Sequence, residues 1–416
     1  MVLYFKVRNY RSIKDEIILD FRAGASEDLT QFPGYFVNDN KERILKGIGI
    51  LGNNASGKTN VLSAFRALST VILSSVNFTE EQHFPFIVPF AFDEKTVQNP
   101  TDFALLFEMN GIKYLYSLAL TKEEIVKESL SFAPKGRMVS LFEREGKTMK
   151  FHSAYVTEEN GKLISQRILK NKPVVTFAAQ FNIPYLMDVY TMMAQNILYT
   201  DSSGNPNEQG IGTRLEHDPG YRKFLKSLLV ASDLNIDDVS MTKEKAKVLL
   251  PLNQDGAGMM GYVNQEIYHI STSHKIGGKE HALSLHEESL GTKKMMAQSG
   301  AVYDALMRGS FLIFDEFGSS FHPLLSSFLL SLFFDDTTNP RHAQVLFNTQ
   351  ETYLLKEKLL RRDEIYMTEK NPETGITELS SLKDYSVRKK EDIENGYLMG
   401  RYTSGPNLDA GKVDLK

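Results

Sequence analysis

Gly52-Asn53-Asn54-Ala55-Ser56-Gly57-Lys58-Thr59 is the stretch on which the reading of this chain turns. It satisfies G-x-x-x-x-G-K-[ST], follows the apolar run Ile44 to Leu51, and precedes a stretch of helical pattern. In that setting, successive backbone N–H groups of the turn and of the helix N-terminus are expected to cradle phosphate oxygens. Lys58 would reach the β- and γ-phosphates of a nucleotide, and the Thr59 hydroxyl would ligate Mg²⁺. Asn53, Asn54, Ala55, Ser56, Gly57, Lys58, Thr59 and Asn60 are thus the candidate nucleotide-binding residues. A chance glycine-rich turn is the competing reading, and the flanking strand and helix patterns count against it.

A second segment lies far along the chain. Phe311-Leu-Ile-Phe-Asp315-Glu316 is four apolar residues ending in two carboxylates, as expected where a buried parallel strand delivers acidic groups to the C-terminal edge of a sheet. Asp315 would join the Mg²⁺ shell with Thr59, and Glu316 would orient or polarise the attacking water. Taken alone, such a run is an ordinary strand end; its specificity comes from pairing with the phosphate loop. A third segment, His286-Glu-Glu-Ser289-Leu-Gly291-Thr-Lys-Lys294, leads into the helical stretch Met295 to Met307. There a Ser hydroxyl and a Gly N–H at a helix start can form an anion site. Equally, Ser289 can serve as a simple helix cap.

Around these segments the chain is ordinary in composition. Its 416 residues are 42% hydrophobic and 24% charged, which excludes disordered, collagen-like and disulfide-scaffold classes. Forty-eight Lys plus Arg against 52 Asp plus Glu leave a net charge of -4, against a surface that binds nucleic acid or anionic membrane throughout. With no cysteine, disulfides, thiolate metal sites and cysteine nucleophiles are excluded. No stretch reads as a secretory signal, and none approaches the roughly 18 apolar residues of a membrane span, so a cytoplasmic protein is expected.

Four regions are expected. Residues 1–85 form the N-terminal half of an ATPase core, opening with two short strands between Leu3 and Phe21. Residues 86–151 carry repeated β-like runs broken by turns such as Asn110-Gly111, which predicts an antiparallel β-layer. Residues 152–282 are read as a mainly helical insertion with a glycine-rich break at 254–261, and 283–416 as the C-terminal half of the core.

The order phosphate loop, large insertion, Ser-x-Gly-x-Lys, Asp-Glu strand and Ser319-Ser320-Phe321-His322-Pro323 resembles ABC-type ATPases of the chromosome-maintenance and recombination-repair branch. That resemblance implies an α/β P-loop ABC-type ATPase head with an antiparallel β-layer and an inserted mainly helical subdomain. It implies ATP and Mg²⁺ as cofactors, and a homodimer closing over two ATP molecules, with Ser289 and Gly291 reaching the γ-phosphate held by the opposite subunit. Higher oligomers stay open. The opening strand and turn, Phe5 to Ile13, fit the same branch; Arg11 is there either a phosphate contact or an exposed turn residue.

Closer still is the similarity to AAA-annotated, RloA-like ATPases of bacterial anti-phage and abortive-infection operons. It rests on Glu288 to Thr292, Phe314 to Pro323, Leu360 to Lys370 and Asn395 to Tyr402. It implies a sensor or switch ATPase controlling a separate effector, such as a Toprim-type (RloB-like) nuclease or another toxin. A DNA repair or chromosome-maintenance ATPase acting on DNA ends is the alternative, and a nucleotide-binding scaffold of little turnover a third. One departure stands out. Where the resembled family carries Thr-Thr-His, this chain reads Asn348-Thr349-Gln350, and Gln350 offers an amide in place of an imidazole as the γ-phosphate sensor. Slow turnover is the expected consequence.

Other residues are expected to be structural. The nine histidines lack ligand-like spacing. His322 suits a structural or dimer contact, and Met192-Met193 and Met259-Met260 suit core or partner surface. The basic runs Lys356 to Arg362 and Arg388 to Lys390 are solvated faces or contacts to nucleic acid or a partner.

Overall fold

The computed structural model describes residues 1–25, 30, 32–200, 204–232, 234–251, 260–356, 359–387 and 391–403, with backbone alone for 248–251, 260 and 261. Met259 with most of the glycine-rich break, residues 357–358 of the first basic run and the triplet Arg388-Lys389-Lys390 lie outside the described residues. The chain forms two compact units. One comprises Met1–Thr200, Ala305–Ser319 and Leu329–Lys416; the other comprises Asp201–Asp304 and Ser320–Phe328.

The chain opens with β1 (Val2–Arg8), β2 (Ile17–Asp20), β3 (Tyr35–Val37), β4 (Arg43–Leu45), β5 (Gly47–Gly52) and α1 (Lys58–Ser74). There follow α2 (Glu94–Val97), β6 (Thr101–Met109), β7 (Ile112–Leu120), β8 (Ile125–Ala133), β9 (Val139–Glu145) and β10 (Thr148–Phe151). Next come α3 (Glu158–Arg167), α4 (Val174–Gln180), α5 (Asp188–Gln195) and β11 (Ile197–Tyr199). The second unit holds α6 (Glu208–His217), α7 (Pro219–Ala231), β12 (Asp238–Pro251), β13 (Met260–Ile276) and β14 (Lys279–Ser284). The helix α8 (Leu290–Arg308) leads to β15 (Phe311–Phe314), α9 (Pro323–Phe334) and β16 (Gln344–Asn348). Last are α10 (Tyr353–Lys356), β17 (Ile365–Lys370), β18 (Thr377–Ser381) and α11 (Ile393–Leu398).

Two large sheets, with the two-stranded pair β3-β4, lie in the first unit. A seven-stranded antiparallel sheet runs β10-β9-β8-β7-β6-β1-β2, and a six-stranded sheet runs β11-β15-β16-β5-β17-β18. In the second, β11, β15, β16, β5 and β17 are parallel and β18 closes the edge antiparallel. The antiparallel layer follows from alternation: Phe103, Leu105 and Phe107 of β6 are buried on one face, and the β6–β7 turn uses Asn110 and Gly111, both at positive φ. β5 is buried at all six residues, the pattern of a central strand covered on both faces.

The α1 helix fills the space between the sheets. Its Val61, Leu62, Phe65, Leu68 and Ile72 recur at helical spacing and are all buried. The Phe65 ring lies 4.6 Å from Phe5 of the antiparallel layer and 5.2 Å from Phe311 of β15. Lys58–Asn77, against expectation, has the length and apolarity of a membrane span, with mean hydropathy 1.2. Its apolar face is spent on this core instead.

Two expectations are corrected. The strand expected over Ile44 to Leu51 is split at Lys46, whose side chain is fully buried. The Lys46 ammonium donates to the Phe334 carbonyl at 2.6 Å and to Asp336 at 2.7 Å, and its backbone N–H turns to Gly34 O. Over 152–282 the helices α3 to α7 lie between Glu158 and Ala231, with the short β11 among them; beyond them the described residues form β12, β13 and β14, a three-stranded antiparallel sheet. The reason is a period of two: Tyr268, Ile270, Thr272 and His274 are buried along one face of β13.

Candidate functional site

Lys58, the first residue of α1, follows a cap that leaves the helix start open. Gly57 at the N-cap has φ +108 and makes no side-chain cap, and no acidic residue occupies the first turn. The loop is wound by positive φ at Gly52, Ala55 and Gly57. At Gly57 a Cβ would collide with the Thr377 side chain, so the close approach of β18 needs a glycine. The loop is pinned from behind: Ser56 Oγ and Thr368 Oγ1 are 2.7 Å apart, and the Thr377 hydroxyl donates to the Ser56 carbonyl at 2.9 Å. A backbone cradle at an uncapped helix N-terminus without carboxylates is the donor set that fits a polyphosphate.

Around it lies a cavity of about 540 Å³ lined by Asn54, Ala55, Ser56, Gly57, Lys58, Thr59 and Asn60 from the loop side. Glu316, Asn348, Gln350, Glu351 and Lys370 line it from the ends of other strands. Lys58 Nζ donates to the Gly52 and Asn53 carbonyls at 2.6 and 2.9 Å. Burial holds its pKa below the ordinary lysine value, and the Glu316 carboxylate opposes that shift.

β15 ends at Phe314, so the next two residues emerge at the sheet edge. Asp315 Oδ1 lies 3.5 Å from Thr59 Oγ1 and accepts from Asn348 Nδ2 at 2.7 Å. Glu316 is exposed and sits at φ +55, with its N–H donating to Asn348 Oδ1 at 2.5 Å. The pair Thr59 and Asp315, hydroxyl and carboxylate, is a hard oxygen set that fits Mg²⁺. Gln350 is exposed in the same cavity. Arg11, at φ +51, is brought to the edge of the loop, where its guanidinium is 3.5 Å from Asn60 Oδ1. The Asn60 amide in turn donates to Ser12 Oγ at 2.7 Å.

Ser289 and Gly291 belong to the second unit. There Ser289 Oγ accepts the Thr292 N–H at 3.1 Å, the capping geometry at the start of α8, while Ser289 and Leu290 stay exposed. The preceding Glu288 is buried, accepting from His274 Nε2 at 2.8 Å and from the Thr272 hydroxyl, which ties the Ser289 turn to β13. These contacts hold the Glu288 carboxyl below the usual glutamate range against its burial. His322 Nδ1 accepts the Leu324 N–H at 3.3 Å and so helps start α9.

The sequence singled out Asp315, Glu316 and Thr59 but not the side chain that joins them. Asn348 does so; in the sequence it stands only as the first residue of Asn-Thr-Gln, where the resembled family has Thr-Thr-His. Its role depends on strand order, which the motif spacing does not carry.

Among solved structures, the SMC head domain from Thermotoga maritima is 14% identical, with TM-score 0.43, over 91% of this chain and 98% of that one. An SMC head bound to the C-terminal winged-helix domain of ScpA is 11% identical, with TM-score 0.39, over 91% and 97%. The cbiO1 protein of Clostridium perfringens, part of the ABC transporter complex cbiONQ, is 10% identical, with TM-score 0.35, over 96% of each chain. Likenesses this distant say nothing of its chemistry. No curated protein matches the chain in sequence. A family profile does match, over residues 48–150 and 201–356, well over half of the chain and including both the phosphate loop and the Asp-Glu strand. The chain therefore belongs to the AAA-domain family described as putative AbiEii toxin, type IV toxin–antitoxin system.

Proposed function

We propose that this protein hydrolyses ATP and works as a dimeric conformational switch in the cytoplasm, controlling a separate effector in anti-phage defence. The observation that carries the reading is the meeting in one cavity of Lys58 and Thr59, after β5, with Glu316, after β15, while Asp315 lies 3.5 Å from the Thr59 hydroxyl. The backbone N–H groups of 54–60 bind the phosphates, and Lys58 leaves the Gly52 and Asn53 carbonyls for phosphate oxygens. Thr59 and Asp315 would hold Mg²⁺, which when bound supplies charge neutralisation at the β- and γ-phosphates. Glu316 orients the water that attacks γ-phosphorus, a bond to that water's oxygen forming as the bond to the leaving ADP oxygen breaks. Gln350 donates its amide N–H to the γ-phosphate, and the Ser289 hydroxyl and Gly291 backbone N–H donate to it from the opposite subunit. The family's description as part of toxin–antitoxin systems supports the defence setting.

Glu316→Gln is the test, its mass measured with and without Mg·ATP after co-expression with the products of adjacent genes. It should retain ATP without hydrolysing it and form a nucleotide-dependent dimer or a larger complex containing a second protein. A monomer whose mass ATP leaves unchanged would refute the switch.

A further inference from the structure

Three strands end at the nucleotide cavity, and their order decides which end stands in the middle. β16 pairs in parallel with β15 on one side and with β5 on the other. Its last residue, Asn348, therefore lies between the carboxylates that follow β15 and the loop that follows β5. It is 1% exposed. An asparagine amide offers one acceptor oxygen and two donor hydrogens, and here each is used. Oδ1 accepts the Glu316 N–H at 2.5 Å, while Nδ2 donates to Asp315 Oδ1 at 2.7 Å and to Thr59 Oγ1 at 3.4 Å. The orientation is fixed by chemistry: a backbone N–H can only donate, so the oxygen faces Glu316 and the nitrogen faces Asp315.

We infer that Asn348 is a positioning residue for hydrolysis: its amide fixes the metal-binding pair Thr59 and Asp315 and the water-orienting Glu316 at once. The inference rests on the ATPase reading above. Glu316 is a non-glycine residue at φ +55, a left-handed conformation that persists only where its surroundings hold it. The Asn348 oxygen is what holds it. Asp315 is likewise tied at Oδ1, which fixes the direction in which Oδ2 is presented. The frame is rigid because Thr349 N donates to Ile50 O at 3.0 Å and the Thr349 hydroxyl to Phe317 O at 2.8 Å. The Phe317 N–H returns to the Asn348 carbonyl at 2.9 Å. The amide reaches the phosphate loop through the Thr59 hydroxyl, its metal-binding group, and not through the backbone N–H groups of the cradle, so its loss should separate nucleotide binding from metal use. A carboxylate at 348 would be worse than no side chain, because it sets a like charge against Asp315 in a buried position.

The experiment compares the full-length parent, Asn348→Ala and Asn348→Asp. ATP affinity is measured in EDTA and across a Mg²⁺ titration, and turnover is measured alongside. Without metal, all three should bind ATP equally. With metal, Asn348→Asp should need at least about tenfold more Mg²⁺ for half-saturation, and both variants should lose about 100-fold in kcat, the scale of removing a preorganised polar contact. Asn348→Ala with the parent's Mg²⁺ requirement and kcat would overturn the inference. So would variants that lose metal-free ATP affinity, since the amide would then support the fold alone. A parent that binds no ATP would instead remove the functional reading itself, and the inference with it.

Discussion

Arg144→Met should destabilise the first unit by about 4–5 kcal/mol. The Glu128 side chain on β8 is fully buried and that of Arg144 on β9 is 2% exposed, with the guanidinium 3.6 Å from the carboxylate. At an effective dielectric near 20, two unit charges at that distance attract by about 4–5 kcal/mol, within reach of the 3–5 kcal/mol measured when one partner of a buried pair is removed. Arg144 also donates to the carbonyls of Gly146, Lys172, Leu169 and Lys170, all of which methionine abandons. The consequence reaches the nucleotide helix. Glu128 accepts the Val174 N–H at 2.8 Å at the start of α4, and Thr176 of α4 donates to Ile72 O of α1 at 2.7 Å.

Urea unfolding followed by far-ultraviolet circular dichroism suits this chain, which has no tryptophan to report by fluorescence. A double-mutant cycle with Glu128→Gln measures the coupling of the pair together with the loss of one acceptor, because Tyr116 donates to Oε1 and Val174 N–H to Oε2 and glutamine keeps one oxygen only. Glu128→Gln added to Arg144→Met should recover about half of the loss. The pH dependence has a definite sign. Burial already raises the Glu128 pKa, and losing Arg144 raises it further, so the native state binds the extra proton. The variant should therefore regain stability as pH falls towards the ordinary glutamate range and lose it again as pH rises through the raised pKa. A variant within about 1 kcal/mol of the parent, with no pH dependence of its own, would refute the view that Arg144 compensates Glu128.

Two further outcomes are expected. Gly57→Ala forces a Cβ against Thr377 at φ +108, a left-handed strain of about 1–2 kcal/mol before the collision is counted, so fluorescent ATP should no longer bind while the thermal midpoint falls only slightly; parent-like affinity would contradict it. Glu364 is fully buried, accepts only the Arg361 N–H at 2.8 Å among its described contacts, and has its pKa raised well above the ordinary value by burial. Its folded state binds more protons than the unfolded, so Glu364 contributes a loss of parent stability as pH rises above about 4.5 that Glu364→Gln should lack; a difference between them in urea midpoint that is the same at every pH would count against this.

The phosphate loop was legible because its chemistry is a matter of spacing. Glycines at 52 and 57 are needed where backbone approaches backbone, and a lysine and a hydroxyl must follow at once. The antiparallel layer was legible for a similar reason, since Phe103, Leu105 and Phe107 alternate and Asn110-Gly111 marks a turn. The sheet over 238–284 was not. β12 reads Lys243-Glu-Lys-Ala-Lys247, charges that suit a solvated helix face as well as an exposed strand, and pairing with β13 decides between them. β11 has only three residues, too few for any periodic signal, and its place beside β15 is a tertiary fact. Lys46 misled in the opposite direction: an apolar run absorbed a charged residue because Asp336 and the Phe334 carbonyl, almost 300 positions away, receive it.

Asn348 marks where motif reading stops and topology begins. The sequence yields a strand ending near 347 and, separately, a strand ending in two carboxylates; it does not say that they are neighbours. Once β16 lies between β15 and β5, the residue at its end must face both sides, and only certain side chains can do so. A carboxylate would repel Asp315, an ammonium would have no acceptor for the Glu316 N–H, and an aliphatic group would leave that N–H unpaired in a strained turn. An amide serves both. Two positions later, Gln350 presents a second amide to the open cavity. Over 348–350 the chain thus meets its two tasks, inward support and outward contact, with neutral groups that hydrogen-bond without titrating. The departure at 350 from an imidazole and the use of an amide at 348 are parts of one arrangement, in which, under the proposed function, the charges that would act on the nucleotide come from Lys58, Asp315 and Glu316, while the end of β16 would supply geometry.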